Sequence, residues 1–274
     1  MMEFEVPLRS VLPGGAGQSG AGFPPAPEVP AEPRDSATVA LIRDGADGGP
    51  EVFLQRRVRG MAFAGGMTVF PGGGVDPRDA DASVDWVGPS VREWARWFDC
   101  PEPLARALVC AAVRETFEES GVLLAGTASA TVTDTARYTD ARRALVAREL
   151  SLAAFLAGEG LAVRADLLRP WGNWVTPEQE PRRYDTRFFV AALPEGQNAD
   201  GATTEADVSG WQRPAEALAD AEAGRCALLP PTWCTLAELG ACGTVAEALT
   251  TGRQIRKITP RLTVRGDTVR VEVP

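Results

Sequence analysis

The sequence predicts an α/β domain, and three segments predict it. They are two adjacent β-branched runs within residues 37–57, a long helical stretch ending at Gly121, and an aromatic-rich strand over Arg182–Leu193. At 274 residues the chain is long enough for one large α/β domain or two small ones. Residues 1–35 are rich in Gly, Pro and Ala and are expected to lack fixed structure in part, which leaves 36–274 as a single domain. Gly15, Gly17 and Gly20 match GxGxxG by spacing, but a dinucleotide loop needs a strand before it and a helix after it. Here the flanks are Pro-rich, so the segment reads as linker.

Ala37–Asp44 (ATVALIRD) and Glu51–Arg57 (EVFLQRR) flank a DGADGG turn and read as a β-hairpin. A short strand in MTVFPGGG follows, ending at a Pro-Gly turn. Gly72, Gly73 and Gly74 would permit positive φ and a close backbone approach to phosphate. Residues 80–103 carry a small helix: Ser90 and Glu93 have capping-box spacing, and Val91, Trp94 and Phe98 recur at i, i+3 and i+7. Its Trp-rich face either packs on the domain or forms a lid whose Trp86, Trp94 or Trp97 stacks on a base; packing is the preferred reading. The main helix runs from about Leu104 to Ser120 with Gly121 as a left-handed cap, burying Leu104, Leu108, Ala111 and Ala112. A second helical stretch covers Arg137–Leu156, followed by another at Leu167–Pro177. The strand in Arg182–Leu193 places Arg183 and Arg187 on one face, which suits phosphate recognition, with pairing to a carboxylate such as Asp207 as the alternative. Glu205 precedes a strand leading to Trp211. Helices then follow at Pro214–Ala223, Thr232–Leu239 and Val245–Thr251, and Ile258–Val273 closes as a hairpin about Gly266-Asp267.

Composition narrows the chemistry. There is no histidine, which removes Ser-His-Asp and Cys-His catalysis, histidine bases and histidine-rich metal sites. The five cysteines are odd in number and contain no CxxC pair, which argues against a zinc site or disulfide framework and suits a reducing cytosol. Net charge is −9 without a strongly basic patch, so a nucleic-acid polymer is not an expected partner. No apolar run approaches a membrane span, and the N-terminus lacks the pattern of a signal peptide.

The residues that carry chemistry lie in RETFEESGV, Arg114–Val122. Glu115, Glu118 and Glu119 stand at i, i+3 and i+4 and share one helix face. Three neighbouring carboxylates repel unless a cation sits among them, and hard divalent cations such as Mg²⁺ take oxygen ligands of this kind. Arg114 beside the cluster is suited to pairing with one carboxylate and holding it.

Arg114, Glu115, Glu118, Glu119, Gly121 and Val122 resemble the second half of the signature of the Nudix hydrolases, with Thr116 at a position that is usually apolar. Gly73 meets the first half, but Asp79 stands where that half carries a Glu. Gly73 and Arg114 are 41 positions apart instead of 14, an insertion of 27 residues. Such an insertion is a feature of the peroxisomal coenzyme A diphosphatase branch. VFPGGGVDPRDAD, DW, AVRETFEESGVLL, WVTPEQEPRRYDTRFFVAALP and GWQRPAEAL are all similar to that branch, over roughly residues 38–240.

The resemblance implies the Nudix fold, a mixed β-sheet sandwiched between α-helices (α/β/α), with residues 80–103 as a helical insertion and 214–274 as C-terminal helices and hairpin. It implies hydrolysis of a nucleoside-linked diphosphate, most specifically coenzyme A or acyl-CoA cut to 3′,5′-ADP and a 4′-phosphopantetheine product. The cofactor expected is Mg²⁺, with Mn²⁺ as substitute. Glu115, Glu118 and Glu119 are the expected metal ligands, with Glu115, Glu119 and Arg114 in the catalytic machinery. Gly72, Gly73, Arg187 and Arg183 are the expected substrate contacts, and Glu205 and Asp79 are alternative acidic residues. A coenzyme A motif of another Nudix branch wants an Arg where this chain has Ala62; the nearest is Arg59. The competing readings are ADP-ribose, NADH or an oxidised nucleoside triphosphate as substrate, and a catalytically silent nucleotide-binding Nudix fold. Homodimerisation is an expectation from the family. The Val-Glu-Val-Pro end is not a peroxisomal Ser-Lys-Leu signal, so cytoplasm is the expected location.

Overall fold

Residues 2–7, 27–46, 48–61, 63–266 and 268–273 are described in the computed structural model; Gly15, Gly17 and Gly20, Ala62 and Asp267 lie outside them. The first strand, β1 (Met2–Pro7), pairs with β14 (Thr268–Val273), which also pairs with β13 (Arg261–Arg265), giving a small antiparallel sheet. The main sheet has the order β11 (Ala206–Gln212), β3 (Pro50–Arg57), β2 (Arg34–Asp44), β10 (Tyr184–Ala192), β9 (Leu168–Val175), β12 (Lys257–Ile258). The β2–β10 and β9–β12 pairs are parallel and the other neighbours antiparallel, so the sheet is mixed. A third small sheet joins β6 (Trp86–Val87), β8 (Ala162–Arg164) and β7 (Ala125–Gly126).

The expected hairpin forms, with Ile42 opposite Val52 and Asp44 opposite Pro50. Toward its open end β2 changes partner. There, β4 (Thr68–Val69) pairs with β3 and β5 (Gly72–Gly74) pairs with β2, so MTVFPGGG enters the sheet between the diverging strands. The glycines are thus extended strand residues, and none of them has positive φ. Their small size meets a different need: a Cβ on Gly72 would stand 2.5 Å from the Ala37 carbonyl oxygen.

Side-chain alternation builds two cores from one sheet. Ala37, Val39 and Leu41 of β2 and Phe189 and Ala191 of β10 face α1 (Val91–Phe98) and α2 (Glu102–Ser120). Helices α3 (Thr139–Val146) and α4 (Leu152–Glu159) extend that core with Leu145, Phe155 and Leu156. On the other face Ala40, Ile42, Phe188 and Val190 meet α5 (Pro214–Glu222), α6 (Pro230–Gly240), α7 (Val245–Thr250) and the small β13–β14 sheet. Burial on both sides explains why β2 reads as a near-continuous apolar run.

Two expectations need correction. The stretch Arg137–Leu156 is two helices, because the chain turns at Arg148 with φ 60° and Ser151 caps a new helix by accepting from Ala154 N. Most of Leu167–Pro177 is the strand β9, whose pairing with β10 outweighs its local sequence.

In the insertion, Ser90 and Glu93 form the capping box: Ser90 N donates to the Glu93 carboxylate at 2.8 Å, and Glu93 N donates to Ser90 Oγ at 3.3 Å. Trp94 is fully buried, with ring centroids 5.9 Å from Phe98 and 5.5 Å from Phe189. Trp86 Nε1 donates to the Pro89 carbonyl at 2.7 Å. This face packs on the domain. Trp94→Ala should therefore lower stability by about 3–5 kcal/mol, read from chemical unfolding; unchanged stability with a raised KM would mark it as a ligand contact instead.

Candidate functional site

The acidic residues sit on the last turns of α2, which ends at Gly121 with φ 73° and its N–H on the Phe117 carbonyl. Thr116 is fully buried at its usually apolar position because its hydroxyl donates to Ala112 O at 2.7 Å, within its own helix. Arg142 of α3 secures this end, with Nε on the Glu118 carbonyl at 3.0 Å and Nη1 on Asp200 at 2.9 Å.

Arg114 ties the cluster together. Its Nε and Nη2 donate to the two oxygens of Asp79 at 3.0 and 2.9 Å, and Nη2 also reaches the Gly74 carbonyl at 2.9 Å. Nη1 donates to Glu115 at 2.7 Å and to Glu118 at 3.4 Å. Asp79 is buried and accepts in addition from Asp76 N at 2.8 Å. It serves as the counter-ion of Arg114 with both carboxylate oxygens engaged, so the structure does not place it as an alternative base.

Glu119 is held from the sheet. One carboxylate oxygen accepts from Gly72 N at 2.9 Å and from Gln55 Nε2 at 2.5 Å. Gln55 is buried on β3 and was not singled out from the sequence; a lone Gln in a strand gives no signal until β3 is brought beside α2. Gly73 lies against Glu115, where an added Cβ would sit 2.5–2.6 Å from the carboxylate.

Crowding shows in the acidities. Burial, repulsion from Glu115 and the nearby Glu205 push Glu119 up to about 8, against the opposing pull of Gly72 N–H and Arg57. Burial pushes Glu115 up to about 7 despite Arg114, and it raises Glu118 as well. Ionising the group would place more negative charge here than Arg114 alone offsets. Hard oxygen donors, this excess charge and the buried, unpartnered Oε1 of Gln55 fit a divalent cation. Among the described residues no three such side chains already converge on one point. Glu119 turns toward the sheet while Glu115 and Glu118 turn to Arg114, so shared coordination requires a carboxylate to rotate.

The cluster borders a cleft of about 590 Å³. Its lining is mixed: Gly72–Gly74, Glu115, Arg57, Arg148 and Glu205 stand beside Met61, Phe63, Trp174, Phe188 and Leu262, with Arg57 Nε 3.1 Å from Met61 Sδ. Glu205 stands at the rim, half exposed and paired with Arg57 at 3.0 Å. Arg187 is not brought here. Ser36, Thr38, Tyr184, Thr186 and Phe188 line the cleft, and Arg187 projects from the opposite face of β10. It is buried there, 2.7 Å from Asp35 and 3.0 Å from Asp185. Asp207, the carboxylate considered for it, pairs with Arg56 at 2.8 Å. Arg183 Nε and Nη1 bind the carbonyls of Thr176 and Ala31 at 3.0 and 2.9 Å, beside the cleft but outside its lining. Arg57 and Arg148 take the position expected of Arg183 and Arg187; nothing in their local sequence marks them.

A mixed sheet between helical layers, with an Arg-pinned acidic helix against a glycine strand, defines the class, and comparison with known proteins agrees. The family described as the NUDT19 Nudix domain matches residues 95–239, just over half of the chain. A Caenorhabditis elegans protein, nudix hydrolase 7, is 31% identical over 180 residues, covering 66% of this chain and 52% of that protein. A Xenopus laevis protein named acyl-coenzyme A diphosphatase NUDT19 is 26% identical over 227 residues, covering 69% of this chain and 59% of that protein. The chain thus spans little more than half the length of these relatives. The crystal structure of a Nudix hydrolase from Alicyclobacillus acidocaldarius superposes with a TM-score of 0.71 at 32% identity, covering 81% of this chain and 98% of that one. This chain belongs to the Nudix hydrolases, in the NUDT19 Nudix domain family.

Gly73→Ala should leave the fold intact and lower kcat at least tenfold by displacing the Glu115 carboxylate, as read by circular dichroism and steady-state kinetics; full activity would show that the close approach is dispensable. A second expectation concerns pH. The folded chain holds protons on Glu115 and Glu119 up to about 7 and 8, whereas the unfolded chain releases them near 4.5. Their stabilising contribution is complete below the unfolded value and is lost as pH rises through the folded ones. The Tm of the protein in EDTA should therefore fall between pH 5 and 8 (about the window set by those acidities), and a flat or rising profile would contradict the clustering.

Proposed function

We propose that the chain is a divalent-metal-dependent diphosphohydrolase that cuts coenzyme A or acyl-CoA into 3′,5′-ADP and a 4′-phosphopantetheine product. The observation that carries this reading is the acidic cluster of the Nudix helix opening, through Glu115, on a cleft lined by both polar and apolar side chains. A substrate with a charged diphosphate joined to a long, less polar arm matches a lining of both kinds. The name of the Xenopus relative supports the same choice.

Glu118 and Glu119 are the ligands assigned to Mg²⁺, or Mn²⁺ in its place, with Glu115 as a third. Bound there, the metal would neutralise phosphate charge and activate a water for attack on phosphorus. Arg114 keeps Glu115 and Glu118 in place. Glu115 Oε1 is engaged by Arg114, which leaves Oε2 to take the proton of the attacking water. The new bond joins water oxygen to phosphorus, and the bond that breaks joins that phosphorus to the bridging oxygen. Arg57 and Arg148 at the cleft wall are assigned to phosphate oxygens. Among the described residues no helix is long and apolar enough to cross a membrane.

A product-resolved screen tests the reading: coenzyme A, acyl-CoA, NADH, ADP-ribose and 8-oxo-dGTP, with Mg²⁺, Mn²⁺ or EDTA. Release of 3′,5′-ADP from a coenzyme A species, abolished by EDTA, is the expected result. Cleavage of another nucleotide in its place would overturn the substrate, and no turnover at all would overturn the enzymatic reading. Glu119→Gln should cut kcat by about 10²-fold or more with the fold retained; full Mg²⁺-dependent activity would remove Glu119 from the machinery.

A further inference from the structure

We propose that a basic recess formed by Arg34, Arg182 and Arg183 beside the cleft binds a second phosphate of the substrate, one that is not hydrolysed. The proposal rests on the coenzyme A reading and assigns the recess to the 3′-phosphate of the adenosine end. The recess has a volume of about 350 Å³, and Glu32 is the one acidic side chain in its lining. Tyr184 is common to the linings of the recess and the cleft, so the two are neighbours.

The arginines differ from most others in the protein in what holds them. Arg183 is fixed by two backbone carbonyls, those of Thr176 and Ala31, which orient the guanidinium without cancelling its charge. Its own carbonyl accepts from Arg34 N at 2.9 Å, which joins the two sides of the recess. Among the described residues no ion pair links Arg34, Arg182 or Arg183 to a carboxylate, whereas Arg114, Arg142 and Arg187 all have such partners. One fixed, uncompensated guanidinium, that of Arg183, with the exposed Arg34 and Arg182 beside it, is suited to a phosphate monoester, whose oxygens accept bidentately and carry up to two charges.

The strand register sets the distance. Arg34 is paired with Tyr184 and Ser36 with Thr186 across the parallel β2–β10 pair, and Ser36 is also opposite Gly74. Arg34 and Ser36 share a face, two residues or about 6.6 Å apart along β2. The recess therefore lies next to the glycine strand on the same sheet face, as the 3′-phosphate lies next to the 5′-phosphate in one nucleotide. Phe63 lies against Tyr184 at the junction, with centroids 4.8 Å apart, and supplies an aromatic surface where the base would fall.

Calorimetric titration of the full chain with 3′,5′-ADP and with 5′-AMP, in Mg²⁺, tests this without turnover. The wild type should bind 3′,5′-ADP about tenfold more tightly or better. The exposed Arg34→Ala/Arg182→Ala pair should remove that preference while the 5′-AMP affinity stays unchanged. Equal affinities in the wild type, or a preference that survives the double substitution, would overturn the proposal. So would displacement of 3′,5′-ADP by inorganic phosphate at equal concentration. A chain that prefers 3′,5′-ADP but cleaves no coenzyme A species keeps the recess and loses the proposed function. One that cleaves coenzyme A and 3′-dephospho-coenzyme A equally, with no binding preference, keeps the function and loses the recess.

Discussion

One guanidinium holds the site in register. Arg114 contacts Asp79, Glu115, Glu118 and the Gly74 carbonyl, using Nε and both terminal nitrogens. The planar fork matters, because a lysine at this place would be a point charge unable to span a bidentate carboxylate and a strand carbonyl together. Asp79 is buried and Glu115 and Glu118 are largely shielded, so removing the cation would leave several carboxylates in a poorly solvated pocket. Through the same contacts the helix, the glycine strand and the turn at Pro77–Ala80 become one unit.

The sheet provides the other half of the support. Because β2 leaves β3 and accepts β5, the Gly72 amide is turned to a helix carboxylate, and Gln55 on β3 reaches the same oxygen. Glu119 is thus held by neutral donors and Glu115 by a cation, although the two are close neighbours on the helix. Burial and repulsion from Glu115 keep its acidity displaced to about 8, against the pull of the Gly72 N–H. The arrangement stores a demand for positive charge that a divalent ion is suited to meet.

Much of this was legible in the sequence. The helix with its glycine cap, the hairpin, the capping box at Ser90 and the acidic face all follow from short-range patterns, and each is present. The site was less legible wherever it depends on which strand meets which. Arg187 sits in a stretch that suggested phosphate recognition, yet strand alternation turns it away and β2 supplies Asp35 as its partner. Gln55, Arg57 and Arg148 become neighbours of the cluster or the cleft only through β3 pairing and the turn that splits α3 from α4. The glycines stand against the acidic helix and β2, and what their size supplies there is space beside Glu115 and Ala37, not positive φ. Leu167–Pro177 carried too weak a period to declare the strand that β10 imposes on it.

The insertion between Gly73 and Arg114 has a meaning in polymer terms. The two halves of the site meet through Arg114 and Gly74, so the chain between them is a closed loop whose closing contacts are independent of its length. Closure entropy grows only as the logarithm of loop length, and going from 14 to 41 positions costs about 1 kcal/mol. Burial of Trp94 and Phe98 under β10 offsets that cost from within the loop itself. The segment is therefore free to vary in length and content as long as it carries its own core, which makes it a place where one branch can diverge from another without disturbing the chemistry it interrupts.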